Sequence, residues 1–258
     1  MKVGVDGFTL HPCGLTSAFQ IFEFVRGHNL SGVLLPGLRW LSETLDRGQL
    51  REIRQEAVRL ELYSHVSISS PNAVIYKPAR SPNQLFEILT EEIEAASQAG
   101  WHELHACLGG FEERYCQDPP LRRQLEAVTE LLRRLTPVLR GCGSRINLED
   151  HADLSTFEIV RLVEEIGPDA LGCCLDTANV LCQAEDPLWA IRRAAPYTHM
   201  TRQGCDPLLQ RPWLHAPGPT AGAGRNSMGT SPADPAPFLA GSGTVHRGPQ
   251  VGFRDARL

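Results

Sequence analysis

An α/β fold of the TIM-barrel type, with seven recognisable βα units and an eighth that is missing or aberrant, is predicted by three observations. Short apolar strands alternate with longer helical stretches from the first residues, the helices carry readable start signals, and the alternation stops after Arg202. A chain of 258 residues is close to the usual length of one such barrel. Strands are expected at 2–6, 32–35, 61–66, 103–108, 145–149, 171–176 and 197–200, each a nearly continuous apolar run suited to a strand buried on both faces.

The helices between them justify themselves in turn. Ser81-Pro82-Asn83-Gln84 combines a cap, a proline at the first helical position and a capping-box glutamine. Leu85, Ile88, Leu89, Ile93 and Ala96 then repeat at helical spacing up to Gly100. Glu112, Glu113 and Arg114 read as an exposed loop, and Asp118-Pro119 as the opening of the next helix. Ser155 with Glu158 forms a second capping box, and Asp186-Pro187 caps the helix that carries Trp189 and Ile191.

After Arg202 the composition changes. Gly and Pro supply 17 of the 56 residues of 203–258, which contain no Glu, Lys, Ile or Tyr, so this segment is expected to bury too little apolar surface to order itself. Residues 1–202 thus read as an incomplete (β/α)8 barrel domain and 203–258 as a Gly/Pro-rich, disordered tail. The break falls right after a strand, which favours a reading-frame slip over a genuine tail as its origin. Open edges on the first and seventh strands would follow, and with them an oligomeric or poorly soluble product.

A formal charge of −5 and the absence of a Lys/Arg cluster argue against nucleic acid as a partner and for a small molecule. No apolar run reaches the roughly 20 residues of a membrane span. The first residues lack the charged and apolar regions of a secretory signal. The eight cysteines form no CxxC pair and read as reduced thiols of a cytoplasmic protein, Cys173 and Cys174 as small core residues.

Three segments place a potential metal ligand where a strand ends: Asn147-Leu148-Glu149-Asp150-His151, Leu175-Asp176-Thr177-Ala178-Asn179 and Tyr197-Thr198-His199-Met200. The C-terminal strand ends of a barrel converge on one mouth, so Glu149, Asp176 and His199 are expected to share one divalent ion, Mn, Mg, Co or Zn. Taken singly, Asp176 before Thr-Ala-Asn suits a turn or cap, and His199 a hydrogen-bonded core histidine. A carboxylate closing an apolar strand, as Glu149 does, is expensive to bury unpaired. Asp6, His65 and His105 fall near other strand ends, where a polyhydroxylated substrate needs hydrogen-bonding partners.

The run from Arg145 to Met200 resembles the second half of a sugar phosphate isomerase/epimerase of the xylose-isomerase-like barrel superfamily. There one strand ends in Glu-Asn/Asp-His, the next in Asp-x-x-Asn/His, and the third in His-Leu/Met-Lys-Asp. The resemblance implies that Glu149, Asp176 and His199 are metal ligands, that Asn179 sits beside the substrate and that His151 supports the site. It also implies proton transfer through an ene-diolate, with Glu149 as the base. Thr201-Arg202 stands where the pattern has Lys-Asp, and no Glu follows Glu185 to serve as fourth ligand. The expected function is a metal-dependent sugar or polyol isomerase/epimerase. The alternatives are a non-catalytic truncated relative and a metal-dependent dehydratase; an apurinic-site endonuclease is disfavoured by the charge and by the lack of extra His ligands.

Overall fold

The computed structural model describes residues 2–203 and 245–247, so apart from Gln203 and 245–247 the expectation of a tail lies outside the described residues. Seven parallel strands run in sequence order: β1 (Val3–Asp6), β2 (Gly32–Leu35), β3 (Tyr63–Ser67), β4 (Glu103–Ala106), β5 (Arg145–Glu149), β6 (Leu171–Asp176) and β7 (Thr198–Gln203). Eight α-helices lie between them: α1 (Ala18–Gly27), α2 (Leu38–Leu41), α3 (Arg47–Arg59), α4 (Pro82–Ala99), α5 (Phe111–Arg114), α6 (Leu121–Gly141), α7 (Thr156–Ile166) and α8 (Pro187–Ala194). The core lies between the sheet's outer face and these helices, with Phe22, Leu50, Leu89, Leu132 and Ile159 fully buried on the helical side.

The position of the eighth unit is filled by β8 (Val245–Arg247), which runs antiparallel to both β1 and β7 and closes the barrel. The unit is aberrant as expected, but the open edges are not there: Val3–Val5 of β1 and Thr201–Gln203 of β7 have β8 as ladder partner. β7 runs three residues beyond the strand expected at 197–200 because Thr201 and Arg202 pair with Leu175 and Asp176 of β6 as well, while β8 holds the other edge through Gln203. β3 begins late because Glu61 takes a positive φ of 57° in the turn after α3, which no strand residue adopts.

The local signals act as written. Ser81 and Gln84 form a reciprocal capping box at α4, which ends on Gly100 in the left-handed conformation. Ser155 and Glu158 do the same at α7, and Asp186 accepts from the N–H groups of Leu188 and Trp189 at α8. Residues 111–114 form a single helical turn rather than a loop, because Glu113 accepts from the N–H of Gly110 and closes it. α6 opens at Leu121, two residues later than Asp118-Pro119 suggested, behind Pro120 at its cap.

Register positions the site. Asp176 of β6 lies level with Arg202 of β7, and Cys174 with Met200. The ladder is irregular between Cys173 and Cys174, which pair with Thr198 and Met200, so His199 is an extra, bulged residue. Among the described residues no helix is long and apolar enough to cross a membrane, and the seven described cysteines are free thiols.

Candidate active site at the barrel mouth

Glu149, the last residue of β5, is fully buried, and its carboxylate is the hub of the mouth. Nε2 of His105, on β4, donates to Oε2 of Glu149 at 2.6 Å. A carboxylate only accepts, so this bond fixes the proton on Nε2. Nδ1 of His105 lies 2.9 Å from Oγ of Ser67, at the end of β3. From β7, Nη1 of Arg202 donates to Oε1 of Glu149 at 2.5 Å and also contacts Oε2. The same guanidinium reaches Oδ2 of Asp6 at the end of β1 through Nη2. Five strands therefore feed one continuous network, Ser67–His105–Glu149–Arg202–Asp6.

Its electrostatics follow from the pairing. Burial by itself would raise the Glu149 pKa, but the hydrogen bond and charge of His105, and Arg202, outweigh it and hold the carboxyl well below its usual range. For Asp6 the balance is reversed: burial raises its pKa despite Arg202 and the N–H of Phe8. Burial pushes Asp150 up to about 9 and Asp153 up to about 7. Each of these two carboxyls has one buried oxygen, Oδ2, without a hydrogen-bond partner.

The residues expected to share an ion do not all meet. Glu149 and Asp176 both end strands at the mouth. Oδ1 of Asp176 accepts from the N–H groups of Ala178 (2.8 Å) and Asn179 (3.4 Å), the turn-capping role its sequence context suggested. His199 is placed elsewhere. It lies three residues before Arg202, about 10 Å of strand below the mouth, and its Nε2 accepts from Nη1 of Arg145, the first residue of β5. A Cβ built on Gly172 would lie 2.6 Å from Cδ2 of His199 and 2.9 Å from Cδ of Arg145, so both side chains crowd the barrel floor. The register of β7 on β6, which pairs Cys173 with Thr198, already leaves His199 short of the level of Asp176, and the bulge adds one residue to the gap.

The expected substrate-facing residues divide similarly. Asp6 and His105 belong to the network just described. His151 is exposed beyond β5, with Nδ1 2.9 Å from the carbonyl of Gly109, and Asn179 starts the turn after β6. His65 is buried on β3, level with Leu34; burial lowers its pKa to about 4, and its Nε2 has no hydrogen-bond partner. Sequence reasoning missed Ser67, which carries no motif, and took Arg202 only as a departure from a pattern. Continuing β7 past Met200 with alternating side chains would have brought Arg202 to the mouth.

Nε2 of His105, the carboxylate of Glu149 and Sγ of Cys174 lie within 4.8 Å of one another, a possible metal site. Its donors do not fit a divalent ion as packed. Burial holds the Cys174 thiol well above its ordinary pKa and so protonated, and both oxygens of Glu149 are held by the guanidinium of Arg202. The cation at this carboxylate is the protein's own arginine.

Comparison with known proteins agrees with the architecture. The chain is 24% identical over 181 residues to the uncharacterised protein YihM of Escherichia coli, covering 69% of this chain and 49% of that one, so it spans about half the length of that relative. Among solved structures it is similar to a probable 3-DHS dehydratase of Bacillus anthracis (TM-score 0.61, 15% identity, 78% of this chain and 72% of that one). It is also similar to a 3-keto-D-glucoside 4-epimerase of Escherichia coli (TM-score 0.57, 13% identity, 72% and 73%). At these identities the likeness concerns the fold. The family described as xylose isomerase-like TIM barrel matches residues 18–203, and the chain belongs to that family.

Proposed function

We propose that the chain is an isomerase or epimerase acting on a sugar or related polyol at the barrel mouth, by moving a proton next to a carbonyl. The observation that carries this reading is the buried, ionised Glu149 bonded to His105, which is backed by Ser67. In the step, a C–H bond next to the substrate carbonyl breaks and its proton passes to Glu149. The C–H electron pair forms the carbon–carbon double bond of an ene-diolate, and the carbonyl oxygen takes the negative charge. In this reading Arg202, whose guanidinium lies against Glu149, balances that charge. Return of the proton from Glu149 to the neighbouring carbon, with the hydroxyl proton on that carbon's oxygen passing to the first oxygen, isomerises the sugar; epimerisation requires in addition an acid that protonates the same carbon from the opposite face. The partner in this reading is a small polyhydroxylated molecule.

A second reading is supported by the likeness to a protein named as a dehydratase: the same proton abstraction followed by loss of a β-hydroxyl as water. One experiment separates them. A panel of ketoses and keto-acids is incubated with the protein in D2O and followed by proton NMR. Deuterium uptake next to the carbonyl, abolished by Glu149→Gln, is expected. Appearance of an unsaturated ketone would favour the dehydratase, and no exchange by a folded wild-type chain would leave a non-catalytic relative.

A further inference from the structure

The fold family's expected cation and this chain's geometry disagree, and the disagreement has a definite shape. β7 brings Arg202, not His199, level with Asp176. Its guanidinium bridges Glu149 and Asp6, acids from strands far apart in sequence, through three contacts. The imidazole nitrogen grouped with Glu149, Nε2 of His105, is committed to the same carboxylate, and His199 is committed to Arg145 on the floor. A divalent ion at Glu149 would sit at bonding distance from a fixed positive charge, so ion and arginine exclude each other.

We infer that Arg202 is a built-in cation that takes the place of a divalent metal between Glu149 and Asp6, so that the wild-type chain binds no metal at its mouth. This deepens the proposed function, because any reaction there then draws its positive charge from the guanidinium. An arginine also dictates geometry that an ion does not: its planar fork fixes donors in directions, whereas a metal holds several ligands around a point.

The test uses Mn2+ as probe. The full chain is stripped with EDTA, dialysed against Mn2+ and measured by elemental analysis and by the EPR signal of free Mn2+. Wild type and Glu149→Gln are expected to carry equal trace amounts. Arg202→Met, which leaves two acids without their cation, is expected to bind about one Mn2+ per chain at least tenfold more tightly, and Arg202→Met/Glu149→Gln to lose it. Near-stoichiometric Mn2+ on the wild type that Glu149→Gln removes would overturn the inference. Should Arg202→Met fail to fold, the wild-type comparison and the shift of its melting temperature by Mn2+ decide alone: no shift supports the inference, a stabilisation lost in Glu149→Gln overturns it. The two readings fail separately. Proton exchange that EDTA abolishes sinks the built-in cation and leaves the isomerase, whereas a metal-free wild type without exchange does the reverse.

Discussion

The mouth and the floor of the barrel each surround an arginine with acidic and imidazole groups, yet they are electrostatically different places. At the mouth the side chains of Arg202 and Glu149 are 12% and 0% exposed, and every partner of the guanidinium is an acid. At the floor Arg145 and Glu103 are 22% and 36% exposed and 3.6 Å apart, and the closer partner of Arg145 is the ring of His199. Asn147 shares the acid there, donating to Glu103 at 2.8 Å. The difference teaches that the number of charged contacts says little about their weight. A dry pair is expensive to break because each survivor is stranded without water, while a wet pair is replaced by solvent.

The largest expected effect breaks the mouth. Arg202→Met strands Glu149 and Asp6 together, and loss of one partner from a buried ionic group costs about 3–5 kcal/mol. Urea unfolding of wild type and variant measures it. The sign with pH is fixed: without the arginine the folded-state pKa values of Glu149 and Asp6 both move up, so the variant's deficit is smallest in acid and grows as pH rises from the wild-type to the variant folded-state pKa of each group, levelling off above. A deficit below about 1 kcal/mol would mean that water already reaches this network.

The floor is expected to yield far less. Arg145→Met leaves a half-exposed Glu103 that rehydrates, at a cost of about 1 kcal/mol or less. It should nonetheless leave a local mark. Burial first, and then the Arg145 charge, hold the His199 pKa down, so removing the arginine should move it up toward the ordinary histidine range in an NMR titration. A cost equal to that of Arg202→Met would erase the distinction between the two ends.

How far each end could be read from the sequence follows from the same geometry. β2, β5 and β6 begin and end where their apolar runs do, and the caps Ser81, Ser155 and Asp186 bond as their spacing implies. These are local facts, decided within a few residues. Glu149 was legible because a carboxylate closing a buried strand demands partners. Its partners were not: His105 is 44 residues away and Arg202 is 53. The level reached by His199 is set by the register of β7 on β6 and by a one-residue bulge, and neither leaves a mark in a run such as Tyr197-Thr198-His199-Met200. β7 extends through Thr201 and Arg202, which carry no apolar signal, because both of its edges are paired, one by Leu175 and Asp176 of β6 and the other by β8 from far along the chain.

The smallest expected effect asks how far the dryness of the mouth extends into the loop beyond β5. Asp153 is buried there: its Oδ1 accepts from the N–H of Leu154 at 2.8 Å and its Oδ2 has no partner. Burial is the main cause that lifts its pKa from 3.8 to about 7. The unfolded chain therefore releases this proton near pH 4 while the folded chain keeps it to near 7. A raised folded-state pKa stabilises fully below the unfolded value, and this contribution is lost as pH rises, by at most about 1.4 kcal/mol per pH unit for one group. Asp153→Asn keeps an acceptor for Leu154 and cannot titrate. Its stability relative to wild type should thus climb between pH 4 and 7 and level off above, as measured by urea midpoints at several pH values. Parallel pH profiles would place water at Asp153 and confine the dry region to the five strands that meet at Glu149.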